Sequence, residues 1–246
     1  DEASGLAEAD LMARHFPDLD TWHPWDLPAE VAVELALQAE AAGRDADKRI
    51  SNSDGAGVST GQSIAVYANS HGFVGTERST SHSISCSLIA GKGDGMQRDY
   101  WYSTALRAED LEGAAAVGRR AAERTLSRLS PRTVKTGEFP VLFASETARS
   151  LVGHLIGAVS GGSLYRRASF LLDSVGTKIF PDWLSMRELP HLRRGLRSGA
   201  FDADGVGTRE QDLVRDGVLS RYILGSYSAR KLGLAPPGNA GGMHNA

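Results

Sequence analysis

His82 and Cys86 stand four residues apart, and Cys86 is the chain's one cysteine, so a shared metal ion is the first chemistry they suggest. On a helix that spacing places both ligands on one face, whereas on a strand it separates them by roughly 13 Å, too far to share an ion. The surrounding residues alternate in twos, so the strand reading holds and Cys86 is expected to be a small, half-buried apolar side chain. Gly153-His154-Leu155-Ile156-Gly157-Ala158 raises a second possibility. A zinc protease helix carries two His one turn apart, with a Glu beside the first to activate water. Here there is one His and no Glu after it, and a lone His on a mostly apolar helix reads as a structural residue. Asp202-Ala203-Asp204-Gly205 opens like a calcium loop, but its Gly comes fourth rather than sixth, so a turn is expected. Arg119, Arg120, Arg124, Arg128, Arg132 and Lys135 could grip phosphate; with no aromatic residue interleaved, they read as the solvated face of a helix. Neither a phosphate-binding Gly loop with its Lys-Ser/Thr ending nor a Gly-x-Ser-x-Gly nucleophile elbow occurs.

The elements that must position these residues follow from periodicity. Apolar side chains at helical spacing predict a helix from Leu6 to Phe16 and a second from Pro28 to about Ala42, with Gly43 as its stop. From Gly61 to Thr104 the period changes to two, which predicts an antiparallel meander of three or four strands with one wet face. Glu109 to Leu129 is the clearest helix, ended by Pro131. Phe139 to Ala144 reads as a short buried strand, followed by a helix to about Val159 with Ser145 as its N-cap. Asp182 to Arg197 reads as loop with room for a short helix. Asp212 to Val214 and Val218 to Leu224 form a strand pair around Arg215-Asp216-Gly217, a strong hairpin signal. The fold class is α+β, an antiparallel β-sheet flanked by helices, organised as residues 1–135 and 136–246.

Composition bounds the function. The chain of 246 residues carries 27 basic and 30 acidic side chains, net charge -3, with 41% hydrophobic content. Disorder and collagen-like repeats are excluded, and without a basic excess nothing points to nucleic acid as the main partner. The longest apolar stretch, Leu151 to Val159, falls far short of the roughly 20 residues that span a bilayer. The acidic start lacks the pattern of a signal peptide, and together with the lone Cys this favours the cytoplasm. A first residue other than Met and a stop just after a Gly-rich turn suggest that both ends are cut.

The order of several stretches is more specific than any single motif. Arg124-Thr125-Leu126-Ser127-Arg128-Leu129-Ser130-Pro131-Arg132 is followed by Phe139 to Ala144 and by Gly153-His154-Leu155-Ile156-Gly157-Ala158-Val159-Ser160-Gly161-Gly162-Ser163-Leu164-Tyr165-Arg166-Arg167. Then come Phe170-Leu171-Leu172-Asp173-Ser174, Tyr227-Ser228-Ala229-Arg230-Lys231-Leu232-Gly233 and Gly238-Asn239-Ala240-Gly241-Gly242-Met243-His244-Asn245. In this order, over nearly the whole chain, the sequence resembles the TldD/PmbA family on its PmbA (TldE) side, as an internal fragment of the subunit.

That resemblance implies a cytoplasmic zinc protease in which a TldD-type catalytic subunit pairs with a PmbA/TldE-type subunit around an enclosed chamber that admits peptides or unfolded proteins. It implies that zinc in the TldD-type subunit is held by a His-Glu-x-x-x-His helix and a later Cys. Aligned through the shared Gly-x-x-x-Arg ending, the first His falls on Gly153, the Glu on His154, the second His on Ala158 and the Cys near Ala240. No catalytic, cofactor-binding or metal residue is therefore expected in this chain, and zinc is expected in the partner. Two other functions stay open: an independent metallopeptidase with unorthodox ligands such as His154, His244 and Glu146, and a non-proteolytic regulator of the modulator of DNA gyrase type.

Overall fold

A computed structural model describes residues 1–245, which form two compact units, each drawn from non-consecutive segments. One comprises residues 22–64 and 78–138; the other comprises residues 1–21, 65–77 and, of the described residues, 139–245. A division at 135/136 thus separates most of the second half, while residues 1–21 and 65–77 group with that half.

The first unit pairs two helices, α1 (Ala29–Arg44) and α2 (Ala114–Ser127), with an antiparallel sheet of β1 (Ile50–Ala68), β2 (Val74–Ala90) and β3 (Gln97–Ala105) in that order. The meander is the expected one, with three strands. In β2 the side chains of Ile84, Cys86, Leu88 and Ala90 are buried on one face, as a strand packed on one side requires. They meet Ala39 of α1 and Val117, Ala121 and Ala122 of α2. Small residues let the helix backbones touch: a Cβ on Gly118 would lie 1.9 Å from the Ala39 carbonyl oxygen. Gly43 is therefore an interior packing residue of α1 rather than its stop, and the helix runs on to Arg44.

The second unit holds α3 (Ser145–Ala158), α4 (Gly161–Tyr165), the sheet β4 (Met186–Glu188), β5 (Gln211–Arg215) and β6 (Val218–Leu219), and α5 (Ser226–Lys231). The β5–β6 hairpin turns at Asp216 and Gly217, both with positive φ (49° and 80°), as its sequence predicts. Leu155, Val159, Leu164, Leu213, Leu219, Tyr222 and Ile223 form its main core.

Further local expectations are corrected. Within Asp182 to Arg197, expected to be loop with a short helix, the strand β4 (Met186–Glu188) pairs with β5 instead. The strand expected from Val218 to Leu224 ends at Leu219. Leu6 to Phe16 holds only a 3-10 turn at Ala9–Leu11, because Met12 and Ala13 pair instead with the backbone of residues 205–206. Phe139 to Ala144 is neither a strand nor buried: Leu142 is 97% exposed, and no ladder partner meets the segment among the described residues. Ala144, not Ser145, precedes the first turn of α3, its carbonyl accepting from the Thr147 and Ala148 N–H groups, while the Ser145 hydroxyl turns to Glu146.

Candidate functional site

The zinc-motif positions lie in two places in the second unit. Gly153 and His154 are exposed on α3 and Ala158 is half-buried one turn on. A Cβ on Gly153 or Gly157 would meet nothing within 4 Å, so this face stands open. Gly153 and Ala158 offer no lone pair and His154 a single imidazole, a set that does not fit a zinc ion, which needs three or four donors converging on one point. Glu146 sits in the first turn of the same helix. Among the described residues no three His, Cys, Asp or Glu side chains converge where they could hold a metal, His154, His244 and Glu146 included.

Ala240 lies in a loop that is tied down from every side. The hub is Glu188, at the end of β4, 1% exposed. Asn239 donates to both its oxygens at 2.6 and 2.8 Å, and His244 donates to Oε1 through its backbone N–H at 2.8 Å and through Nδ1 at 3.0 Å. Arg221, just beyond β6, reaches Oε2 with one guanidinium nitrogen and the Asn239 side-chain oxygen with another. Burial alone would raise the Glu188 pKa, but the donors from His244 and Asn239, with the charge of Arg221, outweigh it and hold the carboxyl below its ordinary value. Burial pushes the Arg221 guanidinium down, and Glu188 opposes the shift. Because an ionised Glu188 only accepts, the Nδ1 of His244 is the donor, and in the neutral imidazole Nε2 keeps its lone pair.

A second buried carboxylate fixes the other side of the loop. Asp202, 3% exposed, accepts the Ala240 N–H at 2.8 Å and the N–H groups of Asp204 and Val206 at 2.9 and 3.0 Å. Burial outweighs these donors and raises its pKa. The turn at Gly205 (φ 82°) is the turn expected there, with the Gly205 N–H on the Asp202 carbonyl. Gly241 and Gly242 carry φ of 88° and 119°, which lets the chain double back past Ala240.

The loop borders a cleft of about 370 Å³ lined by Glu77, Arg197, Asp202, Gly241, Gly242 and His244, among others. Glu77 takes backbone N–H groups of Ala200 and Phe201, yet its Oε1 is enclosed without a partner, and burial raises its pKa. The chain's other chemical candidates lie elsewhere. Cys86 is 1% exposed on β2 with its thiol pushed up to about 11 by burial, and His82 is held between the Thr60 hydroxyl and the His23 carbonyl, 2.9 Å from each. The basic run is not simply a solvated face. Arg128 and Arg124 pair with Asp99 at 2.6 and 3.6 Å, and Arg120 and Arg124 lie over the Trp101 ring, an aromatic partner supplied by the sheet.

Glu188, Arg221 and Asn239 were not legible as a site. The one signal was the polar pair Asn239 and His244 inside a Gly-rich stretch, which marks a loop whose backbone is used closely.

Two family models match the chain: the PmbA/TldA metallopeptidase central domain over residues 22–129 and the C-terminal domain of the same family over residues 136–246. A protein named Metalloprotease PmbA from Escherichia coli O157:H7 is 48% identical over all of this chain and 54% of its own length. A Metalloprotease PmbA homolog from Haemophilus influenzae is 44% identical with the same coverage. The chain spans about half the length of these curated relatives. Among solved structures, a candidate modulator of DNA gyrase from Bacteroides thetaiotaomicron matches with a TM-score of 0.90 at 28% identity, over 98% of this chain and 55% of its own. TldE from Thermococcus kodakarensis shares the fold with a TM-score of 0.67 at 18% identity, over 94% of this chain and 55% of its own.

Proposed function

This chain belongs to the PmbA/TldD metallopeptidase family, and from that premise we propose that it is the PmbA/TldE-type subunit of a two-subunit zinc metalloprotease that degrades or processes peptides, with the zinc held by a TldD-type partner. The observation that carries the reading is the chemistry at the zinc-motif positions: Gly153 and Ala158 have no donor atom, and Ala240 puts a methyl group where the partner type has a Cys. The subunit's task is then to supply wall surface and a rigid Gly-rich loop, while the partner's metal activates water. The helix face bearing Gly153, Gly157 and Ala158 suits close approach to another body, since its small side chains leave room for a facing backbone.

No helix among the described residues is long and apolar enough to cross a membrane. We place the assembly in the cytoplasm with peptides or unfolded proteins as substrates, and assign no role to membrane or nucleic acid.

The test is metal analysis and peptide cleavage on the intact protein, alone and mixed with a TldD-type subunit carrying His-Glu-x-x-x-His. The expected result is far less than one zinc per chain in isolation and cleavage only in the mixture. One zinc per chain, lost on His154→Ala or His244→Ala, would establish an independent metallopeptidase instead. A partner bound with no proteolysis in any mixture would favour the regulatory reading carried by the name of the Bacteroides protein.

A further inference from the structure

Among the described residues Arg197 is the one permanently charged cation lining the cleft beside the Gly-rich loop; its side chain is exposed, but its position is fixed by hydrogen bonds. Its backbone N–H is held by the Asn245 side chain at 3.0 Å, and that side chain is itself anchored on the Leu189 carbonyl and the Ser198 hydroxyl. Its Nε donates to the Met243 carbonyl at 3.2 Å, which lays the guanidinium along Gly242 and Met243. No carboxylate pairs with it among the described residues. The two carboxylates that share the cleft are otherwise engaged: Asp202 is filled by three backbone N–H groups, and Glu77 is bound by those of Ala200 and Phe201 and pushed toward its neutral form by burial. The same cleft receives His244, whose Nδ1 is committed to Glu188, so that in the neutral imidazole Nε2 is an acceptor.

We propose that this cleft binds a carboxylate on Arg197, with His244 Nε2 accepting an adjacent amide N–H, so that the subunit recognises the C-terminal residue of a peptide. A guanidinium whose terminal nitrogens meet no acceptor among the described residues matches a carboxylate in a two-pronged pair. A peptide's last residue presents its carboxylate and its own amide N–H side by side, the donor and acceptor pattern that Arg197 and His244 complement. An aspartate or glutamate side chain offers the same carboxylate without that fixed amide. Gly241 and Gly242 add no side chain to obstruct a bound main chain. The inference rests on the peptide-handling reading only for the class of ligand; binding to this subunit requires neither zinc nor a partner.

The experiment is a calorimetric titration of the intact protein, without partner, with three short peptides: an alanine-rich peptide as free acid, the same peptide as C-terminal amide, and the amide with an internal Asp. Free acid is expected to bind at least about tenfold more tightly than the plain amide, and Arg197→Gln to remove that difference. Asp-containing amide binding as well as free acid would keep the carboxylate site and assign it to acidic side chains. Equal binding of acid and plain amide in the wild type overturns the proposal without recourse to a variant, as does absence of binding by all three. A melting curve for Arg197→Gln shows whether any loss is one of fold, and loss of cleavage in the two-subunit assembly with this binding intact would count against the protease reading alone.

Discussion

The two stretches set against zinc ligands in the proposed alignment, the α3 face and the Ala240 loop, are built in opposite ways within one compact unit. On α3 the Gly153 and His154 face is open, with nothing within 4 Å of a Cβ on Gly153 or Gly157. Around Ala240, two buried carboxylates, an arginine, an asparagine and a histidine hold the loop from Asn239 to Asn245 through hydrogen bonds of 2.6–3.0 Å. One position is thus bare surface and the other the centre of a polar network. Such a network is retained at the cost of burying charge, and Glu188 remains favourable only while every donor stays in place. The difference argues that the loop has work to do, whereas the helix face is open surface.

The comparison breaks most readily at Glu188. Glu188→Ala removes the acceptor shared by Asn239, His244 and Arg221 and leaves a buried guanidinium unpaired, at a cost of about 3–5 kcal/mol. Calorimetry should register a fall in Tm of about 6–20 °C. If Tm falls by less than a few degrees, the network is ornamental and the contrast with α3 collapses.

Acid provides a finer cut. Glu188 is held below its ordinary pKa of 4.5, so its contribution is fully present above that pH and is lost as pH falls through the lowered folded value. Asp202 and Glu77 have the opposite sign: raised by burial, each favours the folded state below its ordinary value and loses that contribution as pH rises through the raised one. Stability of the wild type and of Glu188→Gln, followed by denaturant titration, should therefore differ most above pH 4.5 and converge as pH falls through the lowered folded value. A gap that stays constant with pH would mean that Glu188 acts by shape and not by charge.

Much of the scaffold was legible because its physics is local. The alternation Ile84, Cys86, Leu88 fixes a one-sided strand, and Arg215-Asp216-Gly217 fixes a hairpin through two positive φ values. Local pattern failed where distant backbone won: Met12 and Ala13 forgo a helix because residues 205–206 offer them a ladder, and the apolar side chains of Phe139 to Ala144 have no core to enter. The candidate site was the least legible part. Glu188 and His244 are 56 residues apart, and Arg221 and Asn239 are ordinary polar residues until the fold brings them onto one carboxylate. Their neighbours in sequence give no sign that a 1%-exposed glutamate waits for them.

The smallest expected effect tests the other half of the comparison. Gly153 lies inside α3 with open space around it, so Gly153→Ala adds a methyl group that touches nothing and removes the helix penalty of glycine. The isolated protein should gain about 0.5–1 kcal/mol, a rise of roughly 1–4 °C in Tm. His154→Ala, on the same exposed face, should change stability by no more than about 0.5 kcal/mol. If this face is where another body packs closely, the added methyl carries a penalty only in the assembly, so the same substitution should weaken association with a TldD-type subunit while strengthening the free chain. A change of equal sign in both measurements would remove the reason for a glycine at this position and leave α3 as ordinary solvated surface.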